Sequence, residues 1–150
     1  MRCFKKNGKQ SIGRSKGGLT TKIHMMSANE RTAVEFILSP GNDHDAPWGR
    51  ELMETVGRQK TNTPLLMDRA YEDDKTRNTA QILRFDPVVP PKKNRNNPWD
   101  YDKELYKARN EIERLFRLLQ GFRRVFCRFD KLDIMYAGFI MIALVFIAIR

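Results

Sequence analysis

The chain has 150 residues, 41% of them hydrophobic, with a formal net charge of +10 and a pI near 9.9. That is enough for one modest domain with a real core, and its charge favours nucleic acid or an anionic membrane surface as partner. Two cysteines, Cys3 and Cys127, exclude a disulfide-rich scaffold, match no metal-ligand spacing and read as free thiols in a reducing compartment.

The predicted elements follow in chain order. "MRCFKKNGKQSIGRSKGG" is basic, holds no acidic residue and lacks the apolar stretch of a signal peptide, so residues 1–18 read as a flexible basic arm or loop remnant. Leu19–Ser27 and Thr32–Ser39 read as two strands joined by the polar turn "ANER". Pro40–Pro47 is loop. Asp45 is placed to cap a helix in which Trp48, Leu52 and Val56 recur at helical spacing. Leu65, Leu66 and Met67, bounded by Pro64 and Asp68, look like a short strand buried on both faces. A helix follows over 72–85, with Glu72, Asp73 and Asp74 at its positive start. Pro87–Val89 is a further strand, and "KKNRNNPWDYD" a basic linker. Two helices complete the chain, one from about Asp102 to Gly121 and one from about Lys131 to the end. Residues 134–149 carry no charge, but 16 residues fall short of the roughly 18 or more expected of a membrane span, so this helix is predicted to pack on the sheet. The order implies an α/β fold with a central mixed sheet.

On the helix through Tyr106, the residues Leu105, Ala108, Ile112, Leu115, Phe116 and Leu119 make one apolar stripe at about 100° per residue. Tyr106, Arg109, Glu113, Arg117 and Gln120 make a second stripe along its flank. Glu113 therefore stands at the edge of the buried face. It reads either as half of an ordinary Arg109–Glu113 pair worth a few tenths of a kcal/mol, or as a functional carboxylate on a basic helix. Asp68 closes an apolar strand, where ligands of α/β sheets gather; the alternative is a turn or helix-start aspartate. Two carboxylates on a positive surface can hold Mg²⁺, a hard cation that leaves positions for phosphate oxygens, while surrounding Lys and Arg hold a nucleic-acid backbone.

Five blocks then occur in order: "GRSKGGLTTKIH" (Gly13–His24), "LSPGNDHD" (Leu38–Asp45), "LLMDRAY" (Leu65–Tyr71), "PVVPPKKNR" (Pro87–Arg95) and "YDKELYKARNEIERLFRLLQGFRRVFCRFDKL" (Tyr101–Leu132). Together they resemble the carboxyl part of the catalytic domain of bacterial insertion-sequence transposases of the DDE class. The resemblance implies a ribonuclease-H-like mixed sheet with flanking helices and two C-terminal helices. It implies two-metal catalysis with Mg²⁺ or Mn²⁺ by two Asp and one Glu, and cleavage and strand transfer on transposon-end and target DNA. Asp68 matches the second aspartate and Glu113 the glutamate, both as catalytic and metal-binding residues. Tyr106, Arg109 and Glu113 match the Tyr-x₂-Arg-x₃-Glu pattern, in which a later lysine is replaced here by Gln120. His44 and Asp45 match a recurring pair read as structural. Tyr106, Arg109, Arg117, Lys92, Lys93 and Arg95, with Arg123 and Arg124, are the candidate DNA contacts.

The first aspartate of the class lies on a strand upstream of Gly13, and no acidic residue precedes Glu30 in this chain. Residues 19–150 are therefore expected to form a partial catalytic domain, its first strand missing, inactive alone and a truncated or split form completed by an upstream-encoded half. A homo-oligomer, a bacterial cytoplasmic, nucleoid-associated location and no membrane contact belong to the same expectation. Two other readings compete: a non-catalytic DNA-binding subunit or decoy of an intact transposase, and a small membrane protein anchored by residues 134–149.

Overall fold

The computed structural model describes residues 8–150 and shows a mixed α/β protein. The arm expected over 1–18 is partly a strand: β1 (Gly13–Ser15) pairs antiparallel with the start of β2 (Gly18–Ser27). Three short residues carry no apolar alternation, so only the neighbouring strand makes β1 a strand. Residues 1–7 of that predicted arm, Cys3 among them, lie outside the described residues. β2 and β3 (Ala33–Pro40) form the expected hairpin. Asn29 Oδ1 closes its turn by accepting from Arg31 N and Thr32 N at 2.9 Å each.

The chain divides into two compact units, Met1–Asp43 with Glu111–Arg150, and His44–Asn110. In the first, β1-β2-β3 is a three-stranded antiparallel sheet. Phe36 and Leu38 on one face of β3 join Leu115 and Leu119 of α4 (Asn110–Gln120), Val125 of α5 (Arg123–Phe126) and Tyr136, Ala137, Ile140, Ala143 and Ile147 of α6 (Asp133–Ala148) in one core. The last helix packs on the sheet as its length predicts, and among the described residues no helix is long and apolar enough to cross a membrane. Residue alternation puts Ile37 and Ser39 on the other face of β3, where His24 Nε2 lies 2.8 Å from Ser39 Oγ; all three are buried.

A second cluster, polar and partly buried, ties the N-terminal segment to the C-terminal helix. Asp133 accepts from Ser11 N (3.0 and 2.9 Å), Ser11 Oγ (2.8 Å) and Arg128 Nη2 (2.6 Å). Arg128 also donates to Ser11 O, Thr21 Oγ1, Asp130 O and Lys131 O.

The second unit holds α1 (Asp45–Val56), β4 (Thr63–Leu66), α2 (Asp74–Ile82), β5 (Phe85–Val88) and α3 (Lys103–Tyr106). β4 and β5 are parallel, with α2 as the crossover, so the antiparallel and parallel pairings expected in one mixed sheet are divided between two sheets. Asp45 sits inside the first turn of α1 and not at its cap, which His44 occupies without a side-chain hydrogen bond. Gly57 ends α1 at φ 84°, a left-handed conformation glycine adopts without a Cβ clash, and donates to Met53 O.

The single helix predicted over 102–121 is interrupted. Asp102 caps α3, its carboxylate accepting from Leu105 N at 2.8 Å, and a 3-10 turn (Lys107–Arg109) precedes α4. Leu105 and Ala108, expected on the buried stripe, are exposed, whereas Leu115 and Leu119 are buried. A 3-10 turn advances about 120° per residue in place of 100°, so one stripe cannot run through it.

Candidate active site

β4 carries Pro64 as its second residue and ends two residues before Asp68. Asp68 caps the 3-10 turn Arg69–Tyr71: its Oδ1 accepts from Ala70 N at 3.1 Å. The side chain is 58% exposed, and its Oδ2 is 3.4 Å from Arg109 Nη1. Arg109 arrives from the 3-10 turn that splits the predicted helix, with its guanidinium 5.7 Å from the Tyr106 ring centroid. Tyr106 packs edge-on against Tyr101 at 5.5 Å. Burial raises the Tyr106 hydroxyl above its ordinary pKa; Asp68 and Tyr101 add to this and Arg109 opposes it. Three sequence-predicted residues, Asp68, Tyr106 and Arg109, thus meet in one unit.

Tyr71 joins them without having been foreseen. It lies on the turn that Asp68 caps, where Gly49 of α1 lets the ring come close: a Cβ there would stand 2.6 Å from two ring atoms. Burial first, then the charges of Asp45 and Asp68, push its hydroxyl up to about 12. The signal available in the sequence was position alone, three residues beyond Asp68.

Glu113 is exposed in the first turn of α4, beside Glu111, where carboxylates suit the positive end of a helix. It belongs to the unit that contains α6, and Asp68 to the other. Among the described residues no three of His, Cys, Asp and Glu gather where they could share one metal ion.

A family model described as Transposase DDE domain matches residues 3–147. The chain belongs to this transposase family. A relative from Brucella ovis named "Putative transposase for insertion sequence element IS6501" is 27% identical over 133 residues, covering 88% of this chain and 100% of that one. No solved structure matches the chain significantly. Membership makes DNA the substrate class of this transposase domain.

Several basic residues predicted to hold DNA are also engaged within the transposase domain. Lys92 Nζ is 3.0 Å and Arg95 Nη1 3.1 Å from the carboxylate of Glu72, which is only 3% exposed, and Arg95 also pairs with Asp74. Arg95 and Arg77 stack on the Trp99 ring, at 4.6 and 3.6 Å, and Trp99 Nε1 donates to Val89 O. The basic linker is thereby strapped to the β4-α2-β5 unit. Glu72, predicted at the start of α2, instead neutralises that strap, and Asp73 takes the cap by accepting from Thr76 N at 3.0 Å. Arg124 lies 3.5 Å from Asp130 and over the Phe139 ring, and Arg123 over Phe129. Lys93 and Arg117 are exposed.

These pairs set a pH window. Burial alone would raise the Glu72 pKa, but the hydrogen bond from Lys92 and the charges of Lys92 and Arg95 hold it below the usual range. Asp73 is lowered likewise: its hydrogen bonds with Thr76, and Arg50, outweigh burial. A carboxyl whose folded pKa lies below its unfolded value contributes stability above the ordinary carboxylate range of about 4, lost as pH falls through the folded value. Tyr71 acts oppositely: its contribution is full below about 10 and is lost as pH rises through about 12. Both tryptophans, Trp48 and Trp99, lie in this unit, so tryptophan fluorescence monitors it selectively. Urea midpoints followed this way should fall on both sides of a neutral plateau. Glu72→Gln should flatten the acid limb and Tyr71→Phe the alkaline one.

Proposed function

We propose that this domain takes part in divalent-metal-dependent cleavage and strand transfer of DNA during transposition of an insertion sequence, with Asp68 and Glu113 as two of its three catalytic carboxylates. One observation carries the reading. Asp68, from the "LLMDRAY" block, and Arg109, from the Tyr-x₂-Arg-x₃-Glu block that also contains Glu113, are 41 positions apart in sequence and lie 3.4 Å apart in the same unit. The order of the strands, three antiparallel and then a parallel strand-helix-strand unit, supports the ribonuclease-H-like part of the reading.

Carboxylate oxygens suit a hard divalent ion, the role the family resemblance gives to Asp68 and to Glu113. When bound, such an ion activates the attacking oxygen and stabilises the leaving one. The chain's own residues have separate tasks. Arg109 orients Asp68 and partly neutralises it. Tyr106 fixes the guanidinium of Arg109 by stacking. Arg117 and Lys93 offer exposed charge to the phosphate backbone, with Lys92, Arg95, Arg123 and Arg124 contributing from their ion-paired or stacked positions. The third carboxylate is not among residues 1–29, which contain no Asp or Glu. A second reading is a DNA-binding subunit without chemistry that competes with an intact transposase.

The test is nicking of plasmid DNA carrying the insertion-sequence end, in Mg²⁺ or Mn²⁺, each protein beside its Glu113→Gln control. The 150 residues alone should not nick. The same chain with an upstream strand ending in aspartate should nick, and Glu113→Gln should abolish that activity. No activity from the completed chain would favour the non-catalytic reading. Activity from the 150 residues alone, lost in Glu113→Gln, would show that the missing carboxylate is already within them.

A further inference from the structure

α6 is apolar on every side. Between Ile134 and Ile149 it holds no charged residue. One face supplies Tyr136, Ala137, Ile140, Ala143 and Ile147 to the core. The other carries Ile134, Met135, Ile142, Val145, Phe146 and Ile149, which are 44% to 75% exposed. At about 100° per residue these six fall within one arc about 120° wide. Gly138 lies in the same arc, and a Cβ there would meet nothing within 4 Å. Scattered exposed leucines need no explanation, but six large apolar side chains on one helix face form a patch on the order of 600 Å², the size that marks an interaction site.

We propose that this face docks against the same face of a second copy of the chain. Area is the first argument. Two such patches would bury on the order of 1,200 Å², the lower bound for a specific interface. Charge is the second. A partner bearing ions over this face would leave them desolvated and unpaired, whereas a second α6 brings a stripe equally free of charge over the same length. Symmetry is the third: a two-fold arrangement makes one patch its own complement, and a closed dimer leaves neither copy of it exposed. Gly138, with open space above it, lets the two helix axes approach closely at the crossing.

The experiment is sedimentation velocity of the full chain without detergent, from about 1 to 100 µM. Wild type should be a dimer across the upper part of that range. Ile142→Asp places a charge at the centre of the face in both copies and should weaken the dimer by at least about 100-fold. The side chain is solvent-exposed, so far-UV circular dichroism and the melting temperature should stay close to wild type. Ile142→Cys, with Cys3 and Cys127 replaced by serine, should yield a disulfide-linked dimer on mild oxidation. A wild type that stays monomeric at the highest concentration would overturn the proposal. Association that survives Ile142→Asp would move the interface to the strand edges. A monomer that binds anionic phospholipid vesicles through this face, with binding lost in Ile142→Asp, would assign the face to a lipid surface instead.

Discussion

Replacing Asp133 by alanine should lower the unfolding free energy by about 3–5 kcal/mol, the cost of leaving a buried charge without its partner. Arg128 and Asp133 side chains are only 10% and 11% exposed, and their contact is 2.6 Å. Without the carboxylate, the Arg128 guanidinium keeps its carbonyl acceptors but has no counter-charge. Ser11 loses the carboxylate acceptor of its N–H, and its hydroxyl keeps only Leu38 O at 3.3 Å, so the segment before β1 is held to α6 mainly by Gln10 Oε1, which accepts from the backbone N–H of residue 133. Arg128→Ala should cost a similar amount. The double variant should cost clearly less than the two together, because the partners share one interaction. Urea denaturation followed by circular dichroism measures all three. A loss below about 1 kcal/mol for Asp133→Ala would mean that water replaces the network.

Asp68→Asn should reduce DNA nicking by the completed chain at least about 100-fold, since groups that merely support metal ligands already cost 10–100-fold when lost. Its effect on stability should stay below about 1 kcal/mol. The distinction comes from geometry. Asparagine keeps an oxygen for Ala70 N, so the cap of the Arg69–Tyr71 turn survives, while the charge is lost. The Arg109 contact is 3.4 Å long with a mostly exposed carboxylate, so its loss costs little. Asp68→Ala removes the cap as well and should destabilise by a further ~1 kcal/mol. If Asp68→Asn nicks normally while Asp68→Ala unfolds early, Asp68 is a turn residue and not a catalytic one.

The candidate site was legible in part, for identifiable reasons. Asp68 could be found because a carboxylate that ends an apolar strand is a local pattern, and Tyr106, Arg109 and Glu113 because their spacing is local too. The meeting of Arg109 with Asp68 could not: they are 41 positions apart, and the structure puts a 3-10 turn at Lys107–Arg109 and the Arg109 guanidinium 3.4 Å from Asp68. Lys92 and Arg95 looked like phosphate contacts, since residues 87–99 hold no carboxylate. Their carboxylate, Glu72, lies 20 and 23 positions upstream and meets them only when β4, α2 and β5 are assembled.

The same division runs through the fold. Two strand-like segments around the polar turn "ANER" determined the β2–β3 hairpin. The apolar run at Leu65–Met67 determined that a strand precedes Asp68, and the length of the uncharged C-terminal run determined a helix too short to span a bilayer. These are consequences of side-chain periodicity and chain dimensions, which need no partner. Tertiary structure decided the rest. Gly13–Ser15 is a strand only because β2 offers a free ladder beside it. Asp133 is a structural hub only because Ser11 and Arg128 arrive there from 122 and 5 positions away. In α6, apolar on all sides, no periodicity distinguishes one face from another. Packing against β3 and α4 alone selects which half is core and which half is left for a partner.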